Sequence, residues 1–429
     1  MAVFLYVITI VLGALSAFLY APLKREATIL GLFRPLHSWQ NLHGIENHAI
    51  DGTIACEDLH YHEPSDMLYS ACAGKTVTAA GWFPGAGSLD HPERAGYGTL
   101  VVINPKTLKS QKLSLADFEG PFVTHGISIY SPPSDLETVY IYAVNHLPNP
   151  LWIATSSAQP KAASRIELFV HTVGSDTAKH LRSISHPMIR TPNDLLALSE
   201  REFLVTNDHY YRDGFMRLIE EFSHSSWTDV VHVRLVDETH VTASVSLNSI
   251  PNNNGLGWGP DQQVLISNAM AGALYFSRLE GEHNKTLSVT HSARADGVVD
   301  NPSFFPDPWA GVDGKDYSGY LLPGLGRPID FPENYKDPTG KAPLASMVWY
   351  LPASAGKDGD SWATKPRLLF SDDGSSLRGA TTAVLVAIDP ATNEGKREGW
   401  LFVTGVIAPH MLATKIDFAT TLSSATEQD

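Results

Sequence analysis

Short runs of β-branched and aromatic residues, each stopped by Gly, Pro, Asn or Asp, constrain this chain more than any other feature of it. They include "GTLVVINP" (98–105), "TVYIYAVNH" (138–146), "RIELFVHTV" (165–173), "DVVHVRLV" (229–236), "TAVLVAID" (382–389) and "GWLFVTGVI" (399–407). Residues of this kind fit a pleated surface, and the residues bounding them form turns; "NPKTLKS" and "DPATNEG" read as hairpin turns. No helical periods alternate with the strands, so the body is expected to be all-β. At 429 residues a β-propeller is a more economical arrangement than a sandwich. No clean sequence repeat accompanies the pattern.

Three stretches depart from it. Residues 2–23 carry no charge, and as a helix rising 1.5 Å per residue they reach across a bilayer core of about 30 Å. The first basic residues, Lys24 and Arg25, follow this run instead of preceding it, so it reads as a signal-anchor or uncleaved signal peptide. "RDGFMRLIEEFSHSS" (212–226) places Phe215, Leu218, Ile219 and Phe222 at helical spacing, which predicts a short amphipathic helix on a propeller face, its apolar side packed on the core by default or else forming a lid or membrane-facing surface. Residues 303–345, rich in Gly, Pro and Asp, read as a long loop insertion that walls a pocket. The expected organisation is a hydrophobic helix over 1–23, one propeller domain over 30–420, and a polar tail over 421–429.

A net charge of −15, without a Lys/Arg-rich run, excludes nonspecific binding to nucleic acid. Asn284 stands in an N-x-T sequon, which fits passage through the secretory pathway, as a membrane-anchored or secreted protein. Cys56 and Cys72 flank the hairpin turn at "HEPSDM", an arrangement open to a cross-strand disulfide or to two free buried thiols. His60 and His62 in "HYH" share a strand face; lacking a third ligand, they read as surface residues.

Adjacent oxygen-bearing residues recur at strand ends: Glu57–Asp58, Asn193–Asp194, Asn207–Asp208 and Asp300–Asn301. Taken singly, each pair reads as a turn or cap that bonds its own backbone. A propeller also brings such positions together at its axis, where an all-oxygen set suits a hard cation such as Ca²⁺.

"EDL" (57–59), "THGISIY" (124–130), "VNH" (144–146), "PNDLLALSEREFLVTNDHYY" (192–211), "NGL" (254–256) and "VDNPS" (299–303) stand in an order that resembles the serum paraoxonase/arylesterase family, and "GWLFVTGVIAPHMLATK" (399–415) is similar to its closing strands. The likeness covers nearly all of the chain after residue 45. It implies a six-bladed β-propeller with two calcium ions in a central tunnel. The catalytic ion would be held by Glu57, Asn193, Asn254, Asp300 and Asn301, and the structural ion by Asp58, Asp194 and the Ile127 carbonyl. His125 and His146 would form a dyad in which His125 activates water, with His209 and Asp208 near the ion. The implied activity is hydrolysis of lactones and aryl esters, small-molecule substrates whose carbonyl the ion polarises. No G-x-S-x-G nucleophile elbow is present.

The chain departs from the family at two points. "HMLATKIDFATTL" has no cysteine, so ring closure is expected from strand pairing alone, and "LLPGLGRP" stands where some members carry a further histidine. Two other functions compete with hydrolysis of this kind. One is a noncatalytic membrane-associated propeller that assists the assembly of partner proteins. The other is a sugar lactonase of the gluconolactonase group, which calls for a polar pocket instead of the aromatic one expected from Phe304, Phe305 and Trp309.

Overall fold

A computed structural model describes residues 2–422 except 76, 79, 154–158, 224, 282–284, 338 and 357–364. Asn284 and most of the expected tail lie outside the described residues. The apolar N-terminal run forms a helix, α1 (Ala2–Ile29), which extends beyond the expected boundary at residue 23. Among the described residues, no helix is long and apolar enough to cross a membrane.

The first strand, β1 (Glu46–Ile50), is set aside for the far end of the chain. Six sheets then account for the body. The first comprises β2 (Cys56–His62), β3 (Met67–Cys72), β4 (Thr99–Asn104) and β5 (Lys109–Lys112). The second takes β6 (Ser114–Ala116), β7 (Thr124–Tyr130), β8 (Thr138–Pro148), β9 (Ala162–Thr172) and β10 (Thr177–Ile184), with β6 parallel to β10 at its outer edge. The third has β11 (Pro192–Ala197), β12 (Glu202–Asn207), β13 (Thr228–Leu235) and β14 (Val241–Ile250), with α2 (Phe215–Ser223) between β12 and β13. The fourth is β15 (Asn253–Trp258), β16 (Val264–Asn268), β17 (Ala273–Glu280) and β18 (Thr286–Arg294). The fifth is β19 (Ser303–Phe305), β20 (Gly319–Leu325), β21 (Ser346–Pro352) and β22 (Arg367–Asp372), with α3 (Phe331–Lys336) between β20 and β21. The sixth is β23 (Thr382–Ala387), β24 (Glu398–Thr404) and β25 (Met411–Asp417), to which β1 returns as the outer strand; α4 (Phe418–Thr421) follows.

The strands β2, β7, β11, β15, β19 and β23 contact one another in a ring, which makes the sheets the blades of a six-bladed propeller. Both faces of a middle strand meet a neighbouring blade, so its sequence is a continuous apolar run instead of an alternating one. The core accordingly lies in slabs between blades: Tyr142, Ile166 and Phe203 between the second and third, and Leu321, Phe370, Leu401 and Leu412 between the fifth and sixth. Leu422 is buried in the latter slab, so the body continues past residue 420.

The stretch 303–345 is not a single loop. Its Pro323 and Gly324 lie inside β20: a Cβ on Gly324 would stand 1.9 Å from the Val298 carbonyl oxygen, so only glycine lets the chain before β19 pass so close. The remaining loop, 306–318, is held down by Arg397, whose guanidinium pairs with the buried Asp307 at 2.5 Å and with Asp313 at 2.7 Å. Phe305 is in the core slab and Phe304 stacks near Tyr320, so these two do not form the wall of a pocket.

The ring closes by strand pairing, as expected from the absence of a C-terminal cysteine. Glu46 to Ile50 pair antiparallel with Lys415 to Met411. The Cys56–Cys72 disulfide is formed, and it joins β2 to β3 within the first blade instead of joining the termini. Ile50 and Met411 are both fully buried at the seam. Ile50→Ala should therefore lower the unfolding free energy by about 2–5 kcal/mol in chemical denaturation, and a loss under about 1 kcal/mol would show that packing at the seam does not hold the ring closed.

Candidate metal centre and histidine dyad

The same irregularity occurs at the start of four innermost strands. Cys56 faces Cys72, but Leu59 faces Ser70; Thr124 faces Asn145, but Ile127 faces Ala143. Pro192 and Leu195 face Asn207 and Val205, and Asn253 and Leu256 face Asn268 and Ile266. Each is a bulge in which three steps along the inner strand oppose two on its partner. The residues left over are Glu57–Asp58, His125–Gly126, Asn193–Asp194 and Asn254–Gly255. Two of the adjacent pairs, Glu57–Asp58 and Asn193–Asp194, thus stand in bulges, where Glu57 and Asn193 face the central cavity while Asp58 and Asp194 accept from the next backbone N–H; Asn207 caps the segment at Arg190 and Thr191. The two glycines are needed for fit, because a Cβ on Gly126 would lie 2.5 Å from Asn193 O, and one on Gly255 would lie 2.5 Å from Asn301 Cα. Thr206 and Ser267 use their hydroxyls to accept the bulged N–H groups of Asp194 (3.0 Å) and Gly255 (2.7 Å).

The fifth blade supplies Asp300 and Asn301 from the segment before β19. Asp300 N donates to the Pro323 carbonyl (2.8 Å) and Asn301 N to that of Thr381 (2.9 Å). In the sixth blade Thr381 and Thr382 turn their hydroxyls to the Glu57 carbonyl.

Glu57, Asn193, Asn254, Asp300 and His125 line one cavity of about 560 Å³. Asn301 sits beside Glu57, its Nδ2 donating to Glu57 Oε1 at 2.7 Å. Five buried oxygens of this set, Glu57 Oε2, Asn193 Oδ1, Asn254 Oδ1, Asp300 Oδ1 and Asn301 Oδ1, have no hydrogen-bond partner among the described residues. Buried acceptors are rarely left so. Electrostatics point the same way: burial, then the charges of Asp300 and Asp58, push Glu57 well above the usual carboxylate range, and burial with Asp58 pushes Asp300 up to about 8. The centre is short of positive charge, and its donors are oxygens only. Among the described residues no three His, Cys, Asp or Glu side chains group as a metal site; this set has two carboxylates, the other donors being amides. A hard divalent cation fits it.

Asp58, Asp194 and Ile127 lie elsewhere, outside the lining of that cavity. Each of their carboxylate oxygens accepts at least one hydrogen bond, although burial and the charges of Asp58 and Glu57 also push Asp194 well above the usual carboxylate range. Asp58 Oδ1 accepts from Leu59 N (2.7 Å) and Thr382 Oγ1 (3.2 Å), and Oδ2 from Ile127 N (2.9 Å) and His60 Nε2 (3.0 Å). Asp194 accepts from Leu195 N (2.7 Å) and Leu256 N (2.6 Å). His60 is therefore not a free surface residue, and neither is His62, whose ring bonds Ser65 and Ser131.

His125 Nδ1 lies 3.0 Å from His146 Nε2, and His146 Nδ1 lies 2.8 Å from Ser164 Oγ. Phe83 packs edge-on against both imidazoles, and the Trp82 indole donates to the His146 carbonyl (2.7 Å). A Cβ on Gly85 would stand 2.9 Å from His125 Cε1. Burial lowers His125 to about 4 against the opposing pull of Asp208, and burial and His125 lower His146 further from its usual value. Both rings are neutral near pH 7.

Asp208 and His209, expected from the sequence beside this site, line the cavity together with Arg217, which leaves no sequence signal of its own. His209 Nδ1 is 3.1 Å from Asp208 Oδ1, close enough for an ion pair although not aligned as a hydrogen bond. Burial opposes ionisation of Asp208, but His209, Arg217 and His125 outweigh it and hold the carboxyl well below its usual range. The α2 helix is oriented opposite to expectation. Its buried residues are Arg217, which donates to the Gly85 (2.8 Å) and Arg212 (3.0 Å) carbonyls, and Glu220, which accepts from Tyr210 N and Tyr211 N. Phe215 is 75% exposed and Leu218 53%. The inner polar groups find four partners there, which outweighs burying the apolar side.

The family model described as Arylesterase matches residues 63–312. The chain belongs to the arylesterase family. Serum paraoxonase/arylesterase 2 of Bos taurus is 28% identical over 47% of this chain, and the match spans 51% of the bovine protein, about half its length. Serum paraoxonase/arylesterase 2 of Gallus gallus is 26% identical over 71% of this chain and 75% of its own. Serum paraoxonase/lactonase 3 of Oryctolagus cuniculus is 26% identical over 75% of this chain and 79% of its own. Among solved structures, the luciferin-regenerating enzyme aligns at 10% identity over 86% of this chain and 95% of that one, with a TM-score of 0.43, a likeness too loose to bear on function.

In this arylesterase-family chain the bulge glycine sets the donor positions. Gly255→Ala forces Asn301 and Asp300 to shift, and the unfolding free energy in chemical denaturation should fall by about 1–3 kcal/mol. Unchanged stability would mean that the Asp300–Asn301 segment is free to move.

Proposed function

We propose that this protein is a calcium-dependent hydrolase of lactones and aryl esters. The observation that carries the reading is that Glu57, Asn193, Asn254 and Asp300, each with an unpartnered buried oxygen, line one cavity with neutral His125, with Asn301 behind Glu57 and His146 behind His125. Glu57, Asn193, Asn254, Asp300 and Asn301 would hold the cation, whose contribution when bound is to draw charge onto a substrate carbonyl oxygen.

The chain's own groups supply the rest. Neutral His125 accepts a proton from water, and the imidazolium so formed is stabilised by Asp208, ionised nearby. His146, bonded to Ser164, fixes the His125 ring. Phe83 covers both imidazoles, while Leu325, Phe331, Tyr335 and Val406 give the cavity apolar walls suited to a lactone or aryl group rather than a sugar. Asp300→Ala should lower calcium affinity about 100-fold and activity with it. His125→Gln should leave calcium affinity unchanged while slowing hydrolysis about 10²- to 10⁴-fold. A calcium-loaded wild type inactive on a panel of lactones and phenyl acetate would overturn the activity and favour the assembly role.

We also infer attachment to a lipid surface. The root of α1 is fixed by Arg25, which donates to the carbonyls of Ala271 (2.9 Å) and Ala295 (2.6 Å), next to Ala269 and Met270 in the cavity wall. The exposed side of α2 lies at the same cavity, to which Leu218 also contributes. An exposed apolar helix face of this kind suits the acyl boundary of a membrane, and the Cys56–Cys72 disulfide suits the oxidising secretory route. The full chain should float with phosphatidylcholine vesicles, and Phe215→Ser with Leu218→Ser should weaken that association; a chain that stays in the dense fraction would exclude it.

A further inference from the structure

We infer that this chain holds one cation in its tunnel, and that the side chain of His60 takes the position of a second. The inference rests on the reading that Glu57, Asn193, Asn254, Asp300 and Asn301 bind a divalent ion. The two sets of axial oxygens differ in one decisive respect. Each residue of the first set has a buried oxygen without a partner among the described residues, whereas neither carboxylate of the second set, Asp58 and Asp194, has one.

The imidazole makes the difference. His60 Nε2 lies 2.7 Å from the Ile127 carbonyl oxygen and 3.0 Å from Asp58 Oδ2, so one ring N–H is shared between the two oxygens that a second ion would have to bridge. A ring N–H turned toward both oxygens presents a hydrogen where a cation would need free lone pairs, so the imidazole competes with an ion for the same two acceptors. The carboxylate is also largely occupied. Of about four acceptor sites, Asp58 uses three on Leu59 N, Ile127 N and His60 Nε2, while the single Thr382 hydroxyl proton is shared with the Glu57 carbonyl, which lies closer. His60 thereby does mechanically what a buried ion would do there. It fastens β2 of the first blade to β7 of the second, alongside the Ile127 N–H to Asp58 bond.

The test is the calcium content of the purified full chain, by elemental analysis after gel filtration, with calorimetric titration of the metal-stripped protein. The expected result is about one ion per chain for the wild type and none for Asp300→Ala. Two ions in the wild type, or one ion that persists in Asp300→Ala, would overturn the inference while leaving a metal-dependent function standing. No ion in the wild type would overturn the metal reading itself, and this inference with it. His60→Ala, checked for folding by thermal melting, should rise to about two ions. A folded His60→Ala that stays at one ion would show that the imidazole is not what excludes the second.

Discussion

Buried carboxylates without a counter-charge govern the centre of this propeller. Glu57, which is buried, and Asp300, which is half-buried, face the central cavity, and desolvation drives both toward the neutral form. A fold that only needed stability would put apolar side chains there, since an unpaired buried charge costs several kcal/mol, on the order of the whole stability of a domain. The carboxylates are tolerable only where something positive arrives. Much of the local architecture follows from delivering them: the repeated bulge turns Glu57 and Asn193 toward the central cavity, glycines at 126 and 255 let neighbouring backbones come within van der Waals limits, and Gly324 admits the segment that brings Asp300 in.

The histidine pair shows the opposite treatment of burial. His125 and His146 are also removed from water, and burial keeps both rings uncharged at neutral pH while lowering their affinity for a proton, so a nearby negative charge is needed for His125 to act as a base. The ionised Asp208 stands where it favours the charged ring only after the transfer. Acids short of positive charge and bases kept neutral thus face one cavity, and α2 covers that region with a polar underside. The helix is amphipathic in the reverse sense because Arg217 and Glu220 meet backbone groups of the cavity rim.

The all-β body was legible in sequence from turn-bounded β-branched runs, and motif order pointed to residues, Glu57, Asn193, Asn254 and Asp300 among them, that line one cavity. The adjacent Asn, Asp and Glu pairs were visible, but their cause was not, since a bulge is a relation between two strands and leaves no local mark beyond the pair itself. The 303–345 stretch was misread for a related reason. Gly and Pro ordinarily end strands, and β20 keeps Pro323 and Gly324 because another segment crosses there. His60 was read as exposed because its partners, Asp58 and the Ile127 carbonyl, come together only across two blades. The direction of α2 was hidden because helical spacing locates an apolar stripe without saying which way it faces.

Closure by β1 and β25 also sets a timetable. The strand that completes the sixth blade is made first and must wait until residues 411–417 have left the ribosome, so the nascent chain carries an open ring through nearly all of its synthesis. The Cys56–Cys72 hairpin, closed over a separation of 16 residues, can form as soon as it emerges. Translation of this protein therefore runs from an early local staple to a last long-range zip, and its unpaired blade edges stay open for that interval.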